Sequence, residues 1–362
     1  MSLLYSQLCL ICAFFVYGQP LYAQDVEKPY LESLIESTLS SPDMMVSVTG
    51  LKGTFSSSAK VAKIEISDSE GLWLSIENAE LNWTRSALLQ KRVEIETLSA
   101  DTITVFRKSI QSTSSPSPEA GTFRLPEFPV SINILNIMAK ELVLGKTVLG
   151  RTARLKFAGH IKIVDGNFDV AIKADNLDNV GVFDLSAILD AREKTIQLSL
   201  MANEAANGLI VNALEIPNKP SLSINIAGQG PQDAFKTDIK ISTNGSDRLA
   251  GGVLISPNVF GDKSDGVLIT ADLTGNLAPL FEPQYQRFFG ERASLNAIAK
   301  WRKNGELAIS DLDIKTAALS IQGLLELASD RTPRRFSLKT TIKDASGLDV
   351  VLPLTGPETH IN

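Results

Sequence analysis

Phe183-Asp184-Leu185-Ser186-Ala187-Ile188-Leu189 and Ile196-Gln197-Leu198-Ser199-Leu200-Met201-Ala202 are the stretches that decide how this chain folds. In both, apolar side chains recur at every second residue, the period of a pleated strand with one apolar and one wetter face. Leu72, Leu74 and Ile76 repeat the pattern, as do Leu222, Ile224 and Ile226, and then Leu295, Ala297, Ala299 and Trp301. Mostly Ser, Asn, Asp, Lys and Glu lie between them.

Turn chemistry separates these runs at hairpin distances. Asp165-Gly166-Asn167 lies between Ile161/Ile163 and Phe168/Val170/Ile172, Asn244-Gly245 marks a second turn, and Asn304-Gly305 separates Trp301 from Leu307. Period two starts near Met45 and persists over most of the chain. Parallel strands need crossover helices that the pattern does not supply, so antiparallel meanders are expected. Some ~20 strands in one sheet, at ~4.8 Å each, would extend about 95 Å. The expected fold is therefore mostly β: a long curled antiparallel β-sheet, a β-taco or groove, with an N-terminal export helix and a few short helices. Its apolar lining, assigned by alternation alone, is Leu185, Leu198, Leu200, Ile224, Ile226, Leu295 and Ala297.

The ends and interruptions of the pattern divide the chain. Residues 1–23 are an apolar run, Leu3 to Tyr17, broken at Gly18 and Pro20 and followed by Ala23-Gln24-Asp25, which reads as a signal peptide or a retained membrane anchor. Residues 24–41 hold a short amphipathic helix, with Leu31, Leu34, Ile35 and Leu39 at helical spacing. Residues 42–108 form a first β segment, 109–122 a Ser/Pro-rich loop, and 123–362 a repetitive β-sheet groove. Leu277, Leu280, Phe281, Tyr285, Phe288 and Phe289 predict a short helix or cap within 276–290.

Composition narrows the function. With 44% hydrophobic residues in 362, the chain has material for an ordered core. A net charge of −6, with Lys and Arg scattered singly, excludes a nucleic-acid partner. Both cysteines, Cys9 and Cys12, lie in the first apolar run, so nothing downstream can form a disulfide or a thiolate metal site.

Catalytic constellations are missing from the pattern. Only His160 and His360 are present, and His160 sits where a strand's wet face is expected. Gly228-Gln229-Gly230 lacks the third glycine of a nucleotide loop and reads as a turn. Asp311-Leu312-Asp313 reads as strand alternation rather than a cation loop. No catalytic, metal or cofactor residue is assigned, no cofactor is expected, and the chain is read as a non-enzyme. Trp73, between Leu72 and Leu74, points off the apolar face, and Trp73 and Trp83 are read as anchors at a sheet end rather than lipid contacts.

Ile66-Ser67-Asp68-Ser69-Glu70-Gly71-Leu72-Trp73-Leu74 leads into Leu81-Asn82-Trp83, Arg85-Ser86-Ala87-Leu88-Leu89 and Glu94-Ile95-Glu96-Thr97-Leu98-Ser99-Ala100-Asp101. This succession of an acidic-Gly-x-Trp-Leu strand, a Trp-containing turn and an Ile-x-x-Leu-x-Ala strand resembles the N-terminal part of TamB-like proteins of the AsmA superfamily. Pro129-Val130-Ser131-Ile132 and the Leu319 to Leu325 strand are similar too, more weakly. The resemblance implies the N-terminal portion of a longer protein, tethered to the inner membrane and lying in the periplasm. It further implies a translocation and assembly module that moves phospholipids between membranes or assembles and secretes outer-membrane proteins. The implied partners are phospholipids, the membrane and, through a C-terminal region beyond this chain, a TamA-like outer-membrane barrel. The alternative is an exported structural or adhesive β protein with a filled core.

Overall fold

The computed structural model describes residues 40–41, 44–53, 57–110, 131–260, 263–343, 350–351, 353 and 360–361, together with Glu32 and Glu36. The export segment 1–23 lies outside these residues, as do most of 24–41 and all but the first two residues of 109–122. The structure is 67% strand and 9% helix, with seventeen strands in one mixed sheet that is not closed into a barrel. Residues 118–126 apart, the chain forms two compact units that meet in sequence at Asp178 and Asn179.

The first unit contains β1 (Met45–Thr49), β2 (Ser58–Asp68), β3 (Gly71–Trp83), β4 (Arg92–Val105), β5 (Ser131–Leu144), β6 (Ala153–Val164) and β7 (Asn167–Asn176). Each pairs with the next in sequence, antiparallel in every case but one. β4 and β5 run parallel, offset by 39 residues without a slip from Arg92/Ser131 to Val105/Leu144. The antiparallel expectation is corrected here. The connection from Val105 to Ser131, which contains the Ser/Pro-rich stretch, exceeds the dozen or so residues a parallel crossover requires.

What makes the parallel pair fit is visible in its side chains. Val93, Ile95, Leu98, Ala100, Ile103 and Val105 face Ile132, Ile134, Ile137, Ala139, Leu142 and Leu144 one to one. Both strands space their apolar residues two, three, two, three, two. In β5 each step of three coincides with a β-bulge against β6, between Ile134 and Ile137 and between Ala139 and Leu142. The extra residue in each bulge restores the apolar side chains to the same face. Trp83, Ile95, Ile134, Ile161 and Val170 consequently form one row across five strands. Trp83 is only 8% exposed at the end of β3, Ala87 of the Arg85–Gln90 turn is buried as well, and Trp73 is partly exposed.

Side chains meet β1 on the side away from β2. Glu32 and Glu36 are helical, and their Oε1 atoms accept the N–H groups of Leu51 (2.8 Å) and Val48 (2.6 Å); Ser40 Oγ accepts that of Val46 (2.9 Å). Edge donors that could template another strand are thereby occupied.

The second unit is a meander of ten antiparallel strands: β8 (Gly181–Asp190), β9 (Thr195–Glu204), β10 (Leu222–Pro231), β11 (Phe235–Thr243), β12 (Ser246–Phe260), β13 (Lys263–Gly275), β14 (Ala293–Arg302), β15 (Leu307–Lys315), β16 (Leu319–Leu327) and β17 (Pro333–Ile342). A separate two-stranded ladder joins β18 (Val350–Val351) to β19 (His360–Ile361). Asn244 and Gly245 both have positive φ (49° and 74°), the backbone of a two-residue type I′ hairpin. At Asn304-Gly305 only Gly305 does (87°), in a turn closed by its N–H bonding to Arg302 O.

Gly228-Gln229-Gly230, expected as a turn, lies inside β10. Gly228 is there because of close approach: a Cβ would stand 2.6 Å from the Lys236 carbonyl oxygen of β11.

Candidate functional site

The register of the second unit places all seven nominated residues on one face. Leu185 lies opposite Leu200, and the row continues through Ile226, Ile239, Gly251, Leu273, Leu295, Ile314 and Ile321. A second row runs Ala187, Leu198, Gly228, Thr237, Val253, Ala271, Ala297, Leu312 and Gly323 through the same pairings. A third, shorter row holds Phe183, Ala202, Ile224, Ile241 and Leu249. Ile239, Leu273, Ile314 and Val253 were not nominated from the sequence. The alternation Phe235, Thr237, Ile239, Ile241 could have supplied the first of them.

This face is not sealed. Leu185, Leu198, Leu200, Ile224, Ile226, Leu295 and Ala297 are each only partly buried, whereas their chain neighbours Ser199, Met201, Asn225, Ala227, Asn296 and Ile298 are exposed. The fully buried apolar residues of the unit lie mostly at strand ends and beneath its helices. Glycines deepen the rows, since Gly251 and Gly323, with φ of 152° and 146°, sit so close to the next strand that a Cβ would overlap the Asp272 and Ser337 carbonyls. Cα atoms of β12 and β14, two strands apart, come within 8 Å of each other. A flat sheet would separate them by about 9.6 Å, so the sheet bends at β13.

The two ends of the face differ. At one end lie the helices Leu209–Ala213 and Pro283–Phe289 and the turn Ala278–Leu280. The first covers its end through Val211 (0% exposed), Ile216 and Leu222, packed with Ile224, Ile241 and Leu280. The second inserts Phe288 against Ala318 and Leu319, while Phe281 and Phe289 stack at 3.8 Å. This is the cap that the aromatic cluster within 276–290 predicts. Buried Glu204 fixes the first helix by accepting the Ile210 and Val211 N–H groups at 3.0 and 2.9 Å. Its carboxylate also occupies the space a Cβ on Gly208 would need.

At the other end the strands are joined by short turns, and Trp301 belongs to the apolar face there, opposite Val267 and Leu307. The Arg331 guanidinium lies over its ring, 5.7 Å from the centroid, a cation–π arrangement. Nearby cations are neutralised: Glu306 accepts from Arg302 (3.0 Å) and Arg334. Hydrogen bonds from Asn304 and Arg302, reinforced by Arg334, hold the Glu306 carboxyl below its ordinary range.

Elsewhere the polar chemistry is that of a wet sheet surface. His160 Nε2 lies 3.0 Å from Asp169 Oδ1, both side chains well exposed. Asp313 bonds Lys315 at 2.6 Å, which lowers its pKa. Among the described residues no group of three or more His, Cys, Asp or Glu could hold a metal ion. A depression of about 450 Å³ around Ser186, Gln197, Ser199, Gln229, Lys236 and Asp238 offers only solvent-exposed charges, Lys236 and Asp238 being mutually paired at 3.6 Å. No helix of the described residues is long and apolar enough to cross a membrane, which says nothing of membrane-crossing strands.

Comparison with protein-family models, with curated proteins and with solved structures yields no match to this chain. The geometry therefore speaks through its chemistry: aliphatic rows with water access, worth about 0.8 kcal/mol for each methylene withdrawn from water.

Proposed function

We propose that this chain is an exported, non-enzymatic β scaffold of the TamB-like kind, whose aliphatic face accepts the acyl chains of phospholipids in the periplasm. Inner-membrane tethering, passage of lipid between the two membranes and a TamA-like barrel partner belong to the same proposal. Assembly or secretion of outer-membrane proteins is its companion task, because a nascent amphipathic strand presents the same apolar chemistry as a lipid tail. The reading rests on one observation: cross-strand rows of Leu, Ile, Val and Ala extend over nine consecutive strands yet stay only partly buried. A filled-core adhesin would have withdrawn those side chains from water, since partial exposure forgoes much of the burial free energy.

The test is native mass spectrometry of the purified chain for bound lipid, comparing wild type with Leu200→Asp and Leu200→Thr. Leu200 lies between Leu185 and Ile226. The carboxylate should abolish lipid occupancy, and threonine, which preserves strand propensity, should reduce it by several-fold while the chain stays folded. Undiminished occupancy in a folded Leu200→Asp variant would sink the assignment of this face.

A further inference from the structure

We infer that the apolar face of the second unit is polar in the directional sense: it takes an anionic amphiphile with the head at Trp301 and Arg331 and the tail running toward the Leu209–Ala213 and Pro283–Phe289 helices. The inference rests on the proposed lipid-accepting role and adds to it the ligand's charge and orientation.

Three observations carry it. First, the ends are chemically unlike. The helical end is closed by Val211, Leu280 and Phe288, and the buried Glu204 carboxylate on that end of the face is taken up by the Ile210 and Val211 N–H groups, whereas the turn end bears an aromatic ring on the apolar face with a guanidinium above it. An aromatic side chain with one apolar and one polar surround suits the boundary between tail and head group.

Second, Arg331 is a cation over the apolar face's aromatic ring that is open to a ligand's charge. Arg302 and Arg334 share Glu306, and Arg335 lies 3.8 Å from Glu326, but among the described residues no carboxylate pairs with the Arg331 guanidinium. Arg331 also occupies the left-handed region, with φ of 69°. Its turn is held by Ala328 N–H to Thr332 O at 2.9 Å, Arg331 N–H to Ala328 O at 3.0 Å, and Asp330 accepting both the N–H and the hydroxyl of Thr332. These bonds fix the turn that carries the guanidinium over the Trp301 ring.

Third, the length is right. From Trp301 to Ala293, β14 runs about 27 Å at ~3.4 Å per residue, enough for one extended acyl chain, which fills about half of a ~30 Å bilayer core. The stretch between holds Ala299, Ala297 and Leu295 on the apolar face, leaving room beside a small-residue strand.

The experiment measures binding of monomeric dihexanoyl phosphatidylglycerol, dihexanoyl phosphatidylcholine and glycerol 3-phosphate to the full chain by calorimetry. The chain is compared with its Arg331→Gln, Arg331→Lys and Leu200→Asp variants. The anionic lipid should bind about tenfold more tightly than the zwitterionic one, as expected for one charge-assisted contact. Arg331→Gln should bring that ratio to about one, Arg331→Lys should keep most of it, and Leu200→Asp should weaken both lipids. An unchanged ratio in Arg331→Gln, or equal binding of both lipids by wild type, overturns the orientation while leaving the apolar face as a lipid site. Glycerol 3-phosphate binding as tightly as the anionic lipid overturns it in favour of a free-phosphate site. Failure of wild type to bind either lipid removes the lipid-accepting role itself.

Discussion

Asp68 shows how much a single side chain organises here. Its carboxylate accepts Arg107 Nη1 at 2.9 Å and the N–H groups of Glu70 and Ile110, while Arg107 also donates to the Gly71 carbonyl at 2.6 Å. The β2–β3 turn is thus tied to the chain leaving β4, where the parallel crossover begins. The Arg107 hydrogen bond, helped by the backbone donors, holds the Asp68 carboxyl far below its ordinary range. A lowered folded-state pKa gives stability that is present above the unfolded value of about 3.9 and is lost as pH falls below it. Asp68→Asn should therefore lower the melting temperature at pH 7 and flatten its fall between about pH 4 and 2. A variant whose acid limb matches wild type would show that the tie contributes nothing. At this scale the sequence was readable wherever alternation governed: the seven residues picked out by alternation share one face. It was misread at Gly228-Gln229-Gly230, because a glycine required by close strand approach looks the same in sequence as one required by a turn.

Among the elements, the β4–β5 pair was the least foreseeable. The rule that parallel strands need helical crossovers argued against it, and the Ser/Pro-rich stretch looked like a linker. The signal was present all the same: two segments 39 residues apart share the spacing two, three, two, three, two, and a step of three inside a strand is the trace of a bulge. Ala100 faces Ala139, exposed by 6% and 1%, and Ala139 in turn meets Phe157. Both alanines are almost wholly buried, leaving no space for a larger side chain. Ala139→Leu should accordingly destabilise the first unit by about 1–3 kcal/mol through overpacking. Urea denaturation followed by amide exchange of β4 to β6 would measure it, and a change below a few tenths would mean that the site can expand. Glu32 and Glu36 were legible only as the wet side of a helix. Their role as acceptors for the donors of β1 depends on a docking that periodicity does not encode.

For the whole molecule, a sheet with few fully buried side chains has a thin reserve of stability, and what covers its apolar face should add to it. A ligand at 100 times its dissociation constant contributes about 2.7 kcal/mol by mass action. Saturating monomeric phosphatidylglycerol should thus raise the thermal midpoint by several degrees, and Leu200→Asp should cancel the rise. An unmoved midpoint with lipid demonstrably bound would place the lipid elsewhere. The last strand of the large sheet pairs only with β16 among the described residues and leaves Phe336 68% exposed. It also carries Arg334, Arg335 and Lys339, charges of the kind that discourage edge-to-edge pairing. The bulged pair has a further consequence, for how such a chain can change in length. From Ile134 to Ala139 β5 advances by five positions while β6 advances by four, from Ile161 to Phe157, and β4 by five, from Ile95 to Ala100. An insertion that repeats the bulge comes as a matched quantum, five in β4 and β5 with four in β6. An odd insertion confined to one of these strands would turn its downstream part inside out, so widening by one bulge unit needs changes in three places at once.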